Sequence, residues 1–338
     1  MAKETYDPIF GNADNAADKE TASSAESGNT SGANAASTDG YADRTSSQEG
    51  AANTPSPEKP SVLISLIKGL CYFVAFYAAQ FVTGMLMGIV FGTQKSMEDM
   101  AAGAAPSPDA LAEYINEALN KNANLLVVVY TVILLLFLLI FFAIRRKKFL
   151  QEVRLKKISA KSVPALLILP VGLMLFVNGA LNLLPAEWLS SYAESSASLL
   201  GMSAFGLALL SNAVCAPLSE EITFRGLMLS RFDRAIPKWV GILLTSFIFG
   251  LVHGQIIWIC YATLLGVVFG LVAEHEDTIL ASLILHVIFN LLGTILSYSG
   301  LSFTPVILIA ALLIGLVLTA LGFYLLFRNP AKRTPETD

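Results

Sequence analysis

Four side chains in the second half of this sequence could do chemistry together: Glu220, His253, His286 and Asn290, each set in a run of apolar residues. The segment "LSEEITFRG" places Glu220, Glu221 and Arg225 between the apolar stretches "AFGLALLSNAVCAP" and "LMLSRF". Ionisable groups inside an apolar helix are costly and by default mark function. Glu221 and Arg225 are four residues apart with the glutamate first, which is the favourable order for a same-face ion pair. Glu220 points about 100° round the helix from Glu221, so it is left without a same-helix cation and is free for general acid/base work. His286 and Asn290 are four apart, as are Phe249 and His253, so each pair shares a helix face. Taken singly these residues have plain structural readings. Glu221–Arg225 is an ion pair, each histidine a hydrogen-bonded core residue, Asn290 interhelical glue and Phe249 packing. An unpaired glutamate, two histidines and an asparagine together would be an expensive way to join helices.

The elements that must position them are membrane helices. Of the 338 residues 54% are hydrophobic and only 14% charged, where soluble proteins carry about 25% charged residues. The mean hydropathy is +0.62. A bilayer core of ~30 Å takes about 20 apolar residues per helix. Apolar runs fall near residues 62–92, 124–144, 163–185, 204–229, 239–255, 256–273, 278–297 and 303–327, the fifth and sixth nearly fused. The expected fold is therefore all-α, a polytopic bundle of about eight transmembrane helices. Residues 1–60 hold ten acidic and four basic residues and no apolar run, the composition of a disordered tail. The boundaries expected are a tail over 1–60, accessory helices over 61–185, a catalytic core over 186–327 and a short cytoplasmic end over 328–338. Cys71, Cys215 and Cys260 all lie in apolar runs and read as small hydrophobes.

The loop "RRKKFLQEVRLKKISAK" carries eight basic residues and one acidic, and Arg231, Arg234, Lys238, Arg328, Lys332 and Arg333 fall on the same side if there are eight spans. Basic loops mark the cytoplasmic face. At ~1.5 Å per residue Glu220 lies roughly 16 Å from Arg231, His253 roughly 22 Å from Lys238 and His286 roughly 13 Å from Glu276. Three spans thus bring their polar residues to comparable depth. The expectation is one cavity that opens to the cytoplasmic side, bordered by loops 145–161 and 231–238. Pro217 should free a carbonyl and kink its helix. Leu111, Ile115 and Leu119 recur at helical spacing along the opposite interface, and His275, in "AEHEDT", reads as a solvated loop residue.

"EEITFR" fits E-E-x-x-x-R, "FGLVH" fits F-x-x-x-H and "HVIFN" fits H-x-x-x-N, in that order on successive apolar helices. In this the sequence resembles the CPBP family of intramembrane proteases, which includes the CaaX endopeptidases and bacterial bacteriocin-processing and self-immunity proteins. The resemblance covers roughly residues 204–297. It implies that Glu220 activates water with His253 beside it, that His286 and Asn290 stabilise the oxyanion, and that Glu221, Arg225 and Phe249 support them.

The activity expected is therefore a CPBP-type membrane endopeptidase acting on a membrane-associated or lipid-modified peptide. The competing readings are a non-catalytic membrane scaffold or immunity protein, and a small-solute transporter. Glu220, His253 and His286 would make an acceptable zinc set with an open position, but there is no H-E-x-x-H, and the reading favoured is a water activated without an obligatory metal. The partners expected are a peptide or membrane-protein substrate and the bilayer, with no nucleic acid. The Ala-, Ser- and Asp-rich tail suits a bacterial cell-membrane protein with both termini cytoplasmic. Removing residues 1–58 should leave the rest folded, since the tail has too little apolar surface to pack. Loss of thermal stability in detergent on that deletion would contradict it.

Overall fold

The computed structural model describes residues 61–103, 107–185, 187–192, 196 and 204–330. The expected tail over 1–60, most of the loop 186–203 and residues 331–338 lie outside them. Among the described residues there is no strand. Six helices are long and apolar enough to cross a membrane. We number the helices in chain order. α1 is Val62–Ala101, α2 is the amphipathic Pro108–Lys121, α3 is Ala123–Ile144 and α4 is Val163–Asn182. α5 is a composite over 205–232, followed by α6, Lys238–Leu251, and α7, Ile256–Glu276. α8 is Ile279–Tyr298 and α9 is Pro305–Phe327. The interrupted α5 and the 14-residue α6 complete the apolar series read from the sequence. α6 and α7 are separated by a tight turn at Gly254, whose φ of +75° suits a residue without Cβ.

Two apolar cores hold the bundle. Phe76 of α1, Leu134 and Phe142 of α3, and Phe224 and Met228 of α5 form one. Leu169 of α4, Phe269 of α7 and Leu285 of α8 anchor the other. α9 lies along α4 at backbone distance: a Cβ on Gly172 would sit 2.6 Å from the Thr319 nitrogen, and one on Gly315 would sit 2.4 Å from the Phe176 nitrogen. Small residues give this close approach where lipid supplies no hydrophobic drive.

α5 departs from an ordinary helix. Leu209–Cys215 and Glu221–Leu229 are π-helical, with the α-helical turn Ala216–Glu220 between them. Pro217 lies in that middle turn and has no N–H to donate. π-bulges concentrate at functional sites. Here the wide turns leave carbonyls for other helices: the Asn212 oxygen accepts from Asn290 Nδ2 at 2.8 Å, and the Cys215 oxygen accepts from Thr131 Oγ1 at 3.3 Å.

One end of the bundle is tied by charge. Arg154, in the loop between α3 and α4, pairs with Glu274 and, at 3.1 Å, with Asp277. Lys156 meets Asp277 at 2.6 Å, and Arg231 meets Glu152 at 2.5 Å. This overturns the reading of "AEHEDT" as a solvated loop. α7 runs on to Glu276 and stops at Asp277, where φ is +52°. His275 is buried, its ring edge-on to Phe327 at 5.0 Å, and Glu276 accepts from the Ser162 hydroxyl and the Ser159 N–H. The polar partners Arg154, Lys156, Ser159 and Ser162 lie more than a hundred residues away, so a local reading sees only a polar run.

Beyond the end of α5, burial pushes the Asp233 carboxyl up to about 8, helped by the negative charge of Glu274 and opposed by Arg154 and Lys238. A carboxyl raised in the folded state favours folding fully below its unfolded value of about 4, and that contribution is lost as pH rises through about 8. Asp233→Asn is therefore expected to raise the melting temperature in detergent, with a gain that widens from pH 5 to pH 9. A constant or shrinking gain would show that Asp233 does not titrate in this way.

Candidate active site

Glu221 and Arg225 lie at the centre of the bundle, 0% and 1% exposed. Arg225 Nη1 donates to Glu221 Oε1 at 2.8 Å, and Nη2 donates to the Gly266 carbonyl at 3.2 Å. The guanidinium lies over the ring of Phe249, at 4.4 Å, and over that of Phe269, at 5.3 Å. Planar, weakly hydrated guanidinium suits such a slot better than an ammonium would. Glu221 Oε1 also accepts from His286 Nδ1 at 3.0 Å. One carboxylate oxygen thus holds both a cation and an imidazole, and it fixes which nitrogen of His286 is turned outward. That nitrogen, Nε2, stands 3.7 Å from Glu220 Oε2.

His253 lies just past the end of α6. Its Nδ1 is 3.0 Å from the Phe249 carbonyl. A carbonyl only accepts, so Nδ1 carries the hydrogen and Nε2 keeps its lone pair. Phe249 packs edge-on to both imidazoles, with ring centroids 5.1 Å from His253 and 6.0 Å from His286. It therefore spaces the two histidines while forming one wall of the Arg225 slot. Asn290, one turn beyond His286 on α8, is held by its bond to the Asn212 carbonyl.

Glu220, His253, His286 and Asn290 all line one cavity of about 340 Å³. Glu221 and Arg225 lie behind its wall. A cavity of this size with several polar partners is large enough to hold water.

The direction of the cavity differs from the expectation. The sequence points it toward the basic loops, and it runs the other way. On α3 it touches Val127 and Tyr130, near the end remote from Arg145. On α4 it touches Met174 to Leu181, the end remote from Lys161. On α8 it follows the helix from His286 to Ser297. Along that path His286 is buried, Asn290 half-buried and Thr294 buried, and Ser297 at the far end is exposed. The reason is packing at the other end. The loop carrying Val153 presses onto α5 so closely that a Cβ on Gly226 would lie 2.9 Å from the Val153 carbonyl. Leu227, Met228 and Leu229 beneath it are 0% exposed.

Asn212 and Tyr130 are among the lining residues that escape the sequence reading. Asn212 sits eight residues before Glu220, and Asn212, Ala216 and Glu220 line the cavity at steps of four. Tyr130 is the one tyrosine in the apolar α3, only 8% exposed and facing the same space. A polar side chain in an otherwise aliphatic run is the available signal for both.

Glu220 and His286 approach within 3.7 Å, and among the described residues no group of three His, Cys, Asp or Glu side chains is placed to hold an ion.

Apolar helices of this length, with a carboxylate, two imidazoles and an amide around one cavity, fit an integral multi-pass membrane protein with a polar centre at depth. Residues 202–292 match the family described as Type II CAAX prenyl endopeptidase Rce1-like. The matched segment holds Glu220, His253, His286 and Asn290 and agrees with the resemblance read from their motifs. It supports an intramembrane endopeptidase in general terms. No curated protein and no solved structure matches the chain.

Proposed function

We propose that this chain is an intramembrane endopeptidase that hydrolyses a peptide bond of a membrane-associated or lipid-modified peptide. The observation that carries the reading is the 3.7 Å gap between Glu220 Oε2 and His286 Nε2 on the wall of a cavity also lined by His253 and Asn290. Glu220 takes a proton from water while the oxygen attacks the scissile carbonyl carbon. His253 Nε2 accepts the water's other hydrogen and orients it. Negative charge then develops on the carbonyl oxygen. His286 Nε2 lines its position, the ring held from the far side by Glu221 through Nδ1. The second N–H of the Asn290 amide is the donor. Collapse breaks the C–N bond, and Glu220 returns its proton to the departing amine. The products are an amine and a new carboxyl group.

Donors aimed at such an oxyanion are worth roughly 10²–10³-fold each in turnover. In proteoliposomes, the wild-type chain is expected to cleave internally quenched peptides that carry an apolar, bilayer-inserting segment. Asn290→Ala is expected to slow this by ~10²-fold. Folded wild-type protein that cleaves no member of such a peptide set would remove the support for this reading.

A further inference from the structure

All the cavity-lining segments lie at the same end of the bundle. α3, α4, α5, α7 and α8 each contribute residues from the part of the helix remote from the basic loops. From His286 to Ser297 the path along α8 is about 16 Å at 1.5 Å per residue. Polar groups mark its course: Asn178, Asn212, Asn290, Thr294 and Ser297. The opposite end is closed. Val153 seats on Gly226, and Phe232 is 1% exposed. The ion pairs of Arg154 and Arg231 lie across the same face.

Charge separates the two ends. Twelve Lys and Arg residues lie in 145–161, in 231–238 and at Arg328, all at the closed end. At the open end the described stretches 93–103, 107–122 and 187–192 hold six acidic residues, Glu98, Asp99, Asp109, Glu113, Glu117 and Glu187, against Lys95 and Lys121. Loops rich in Lys and Arg stay in the cytoplasm. Among the described lining residues there is no Lys or Arg, and Glu220 is the one carboxylate. A free C-terminal carboxylate would find no cation there, and an anion beside Glu220 in low dielectric would be repelled.

We propose that the cavity is entered from the extracytoplasmic face, so that its substrate is the outward-facing juxtamembrane part of a membrane-anchored peptide, cut at an internal bond and neutral or cationic near it. This deepens the peptidase reading of the same cavity and rests on it for the word substrate. The access route itself can be tested without activity.

Single cysteines are placed at Ser297 and, as a control, at Lys157, with Cys71, Cys215 and Cys260 changed to alanine. A membrane-impermeant maleimide is then applied to intact cells and to inverted membrane vesicles. Ser297→Cys is expected to be labelled in intact cells and lost from labelling in inverted vesicles, and Lys157→Cys to show the reverse. Any other pattern overturns the proposal. If the cysteine-free background does not accumulate, the same substitutions are compared in the native background by the increment in label over parent. Asn178→Cys serves as the second lining position and must follow Ser297→Cys. The labelling is repeated with Glu220→Gln, which should leave it unchanged while peptide cleavage disappears. A chain with Glu220 intact that labels from outside but cleaves no peptide would count against the peptidase reading alone.

Discussion

Purified Glu220→Gln protein is expected to fold like the wild type and to lose peptidase activity by ~10²–10⁴-fold, the usual contribution of a positioned acid/base. Its stability should be kept because Glu220 is not the carboxylate that balances Arg225. That work falls to Glu221, at 2.8 Å. Glu220 instead faces the cavity, and its nearest imidazole nitrogen is 3.7 Å away, beyond a direct hydrogen bond. Glutamine keeps the size and polarity of the side chain but cannot take a proton from water. The paired measurements are turnover of a membrane peptide and the thermal melt in the same detergent. Full turnover by the glutamine variant would sink the assignment of Glu220 as the base. A collapsed melt would instead make it a structural residue.

Glu221→Ala is expected to act chiefly on stability. It strips a buried guanidinium of its counter-charge and leaves His286 Nδ1 without an acceptor. Breaking a buried pair by removing one partner costs about 3–5 kcal/mol. The double variant Glu221→Ala/Arg225→Ala should recover part of that loss, since no lone charge remains. Activity should not return with stability, because His286 would still lack the carboxylate that orients its ring. A double variant as unstable as the sum of the two singles would show that the residues are not energetic partners.

Much of this centre is legible in the amino-acid sequence. Glu221 and Arg225 pair because four residues separate them with the glutamate first, and spacing alone gives that. Glu220, His253, His286 and Asn290 stand out because a charge or amide in an apolar run has few cheap explanations. What the sequence hides depends on distant packing. The π-helical turn Leu209–Cys215 of α5 offers the Asn212 and Cys215 carbonyls to other helices, and the donors for those carbonyls sit on α8 and α3. Counting residues along each helix gives the level at which the polar groups meet, but depth has no direction. The cavity runs away from the end where Val153 is fitted onto Gly226, a contact across more than seventy residues. His275 is hidden for the same reason. A polar hexapeptide looks solvated until Arg154, Ser159 and Ser162 are brought against it.

The reading of the cavity as a peptidase centre stands most directly on what happens to membrane peptides in cells. Cells carrying the wild-type chain and cells carrying Glu220→Gln, matched for protein level, are compared by mass spectrometry for new peptide ends in the membrane and outside it. A set of peptide ends, each within or next to an apolar segment, is expected with the wild type and not with the variant. Identical sets of peptide ends in the two strains would contradict it.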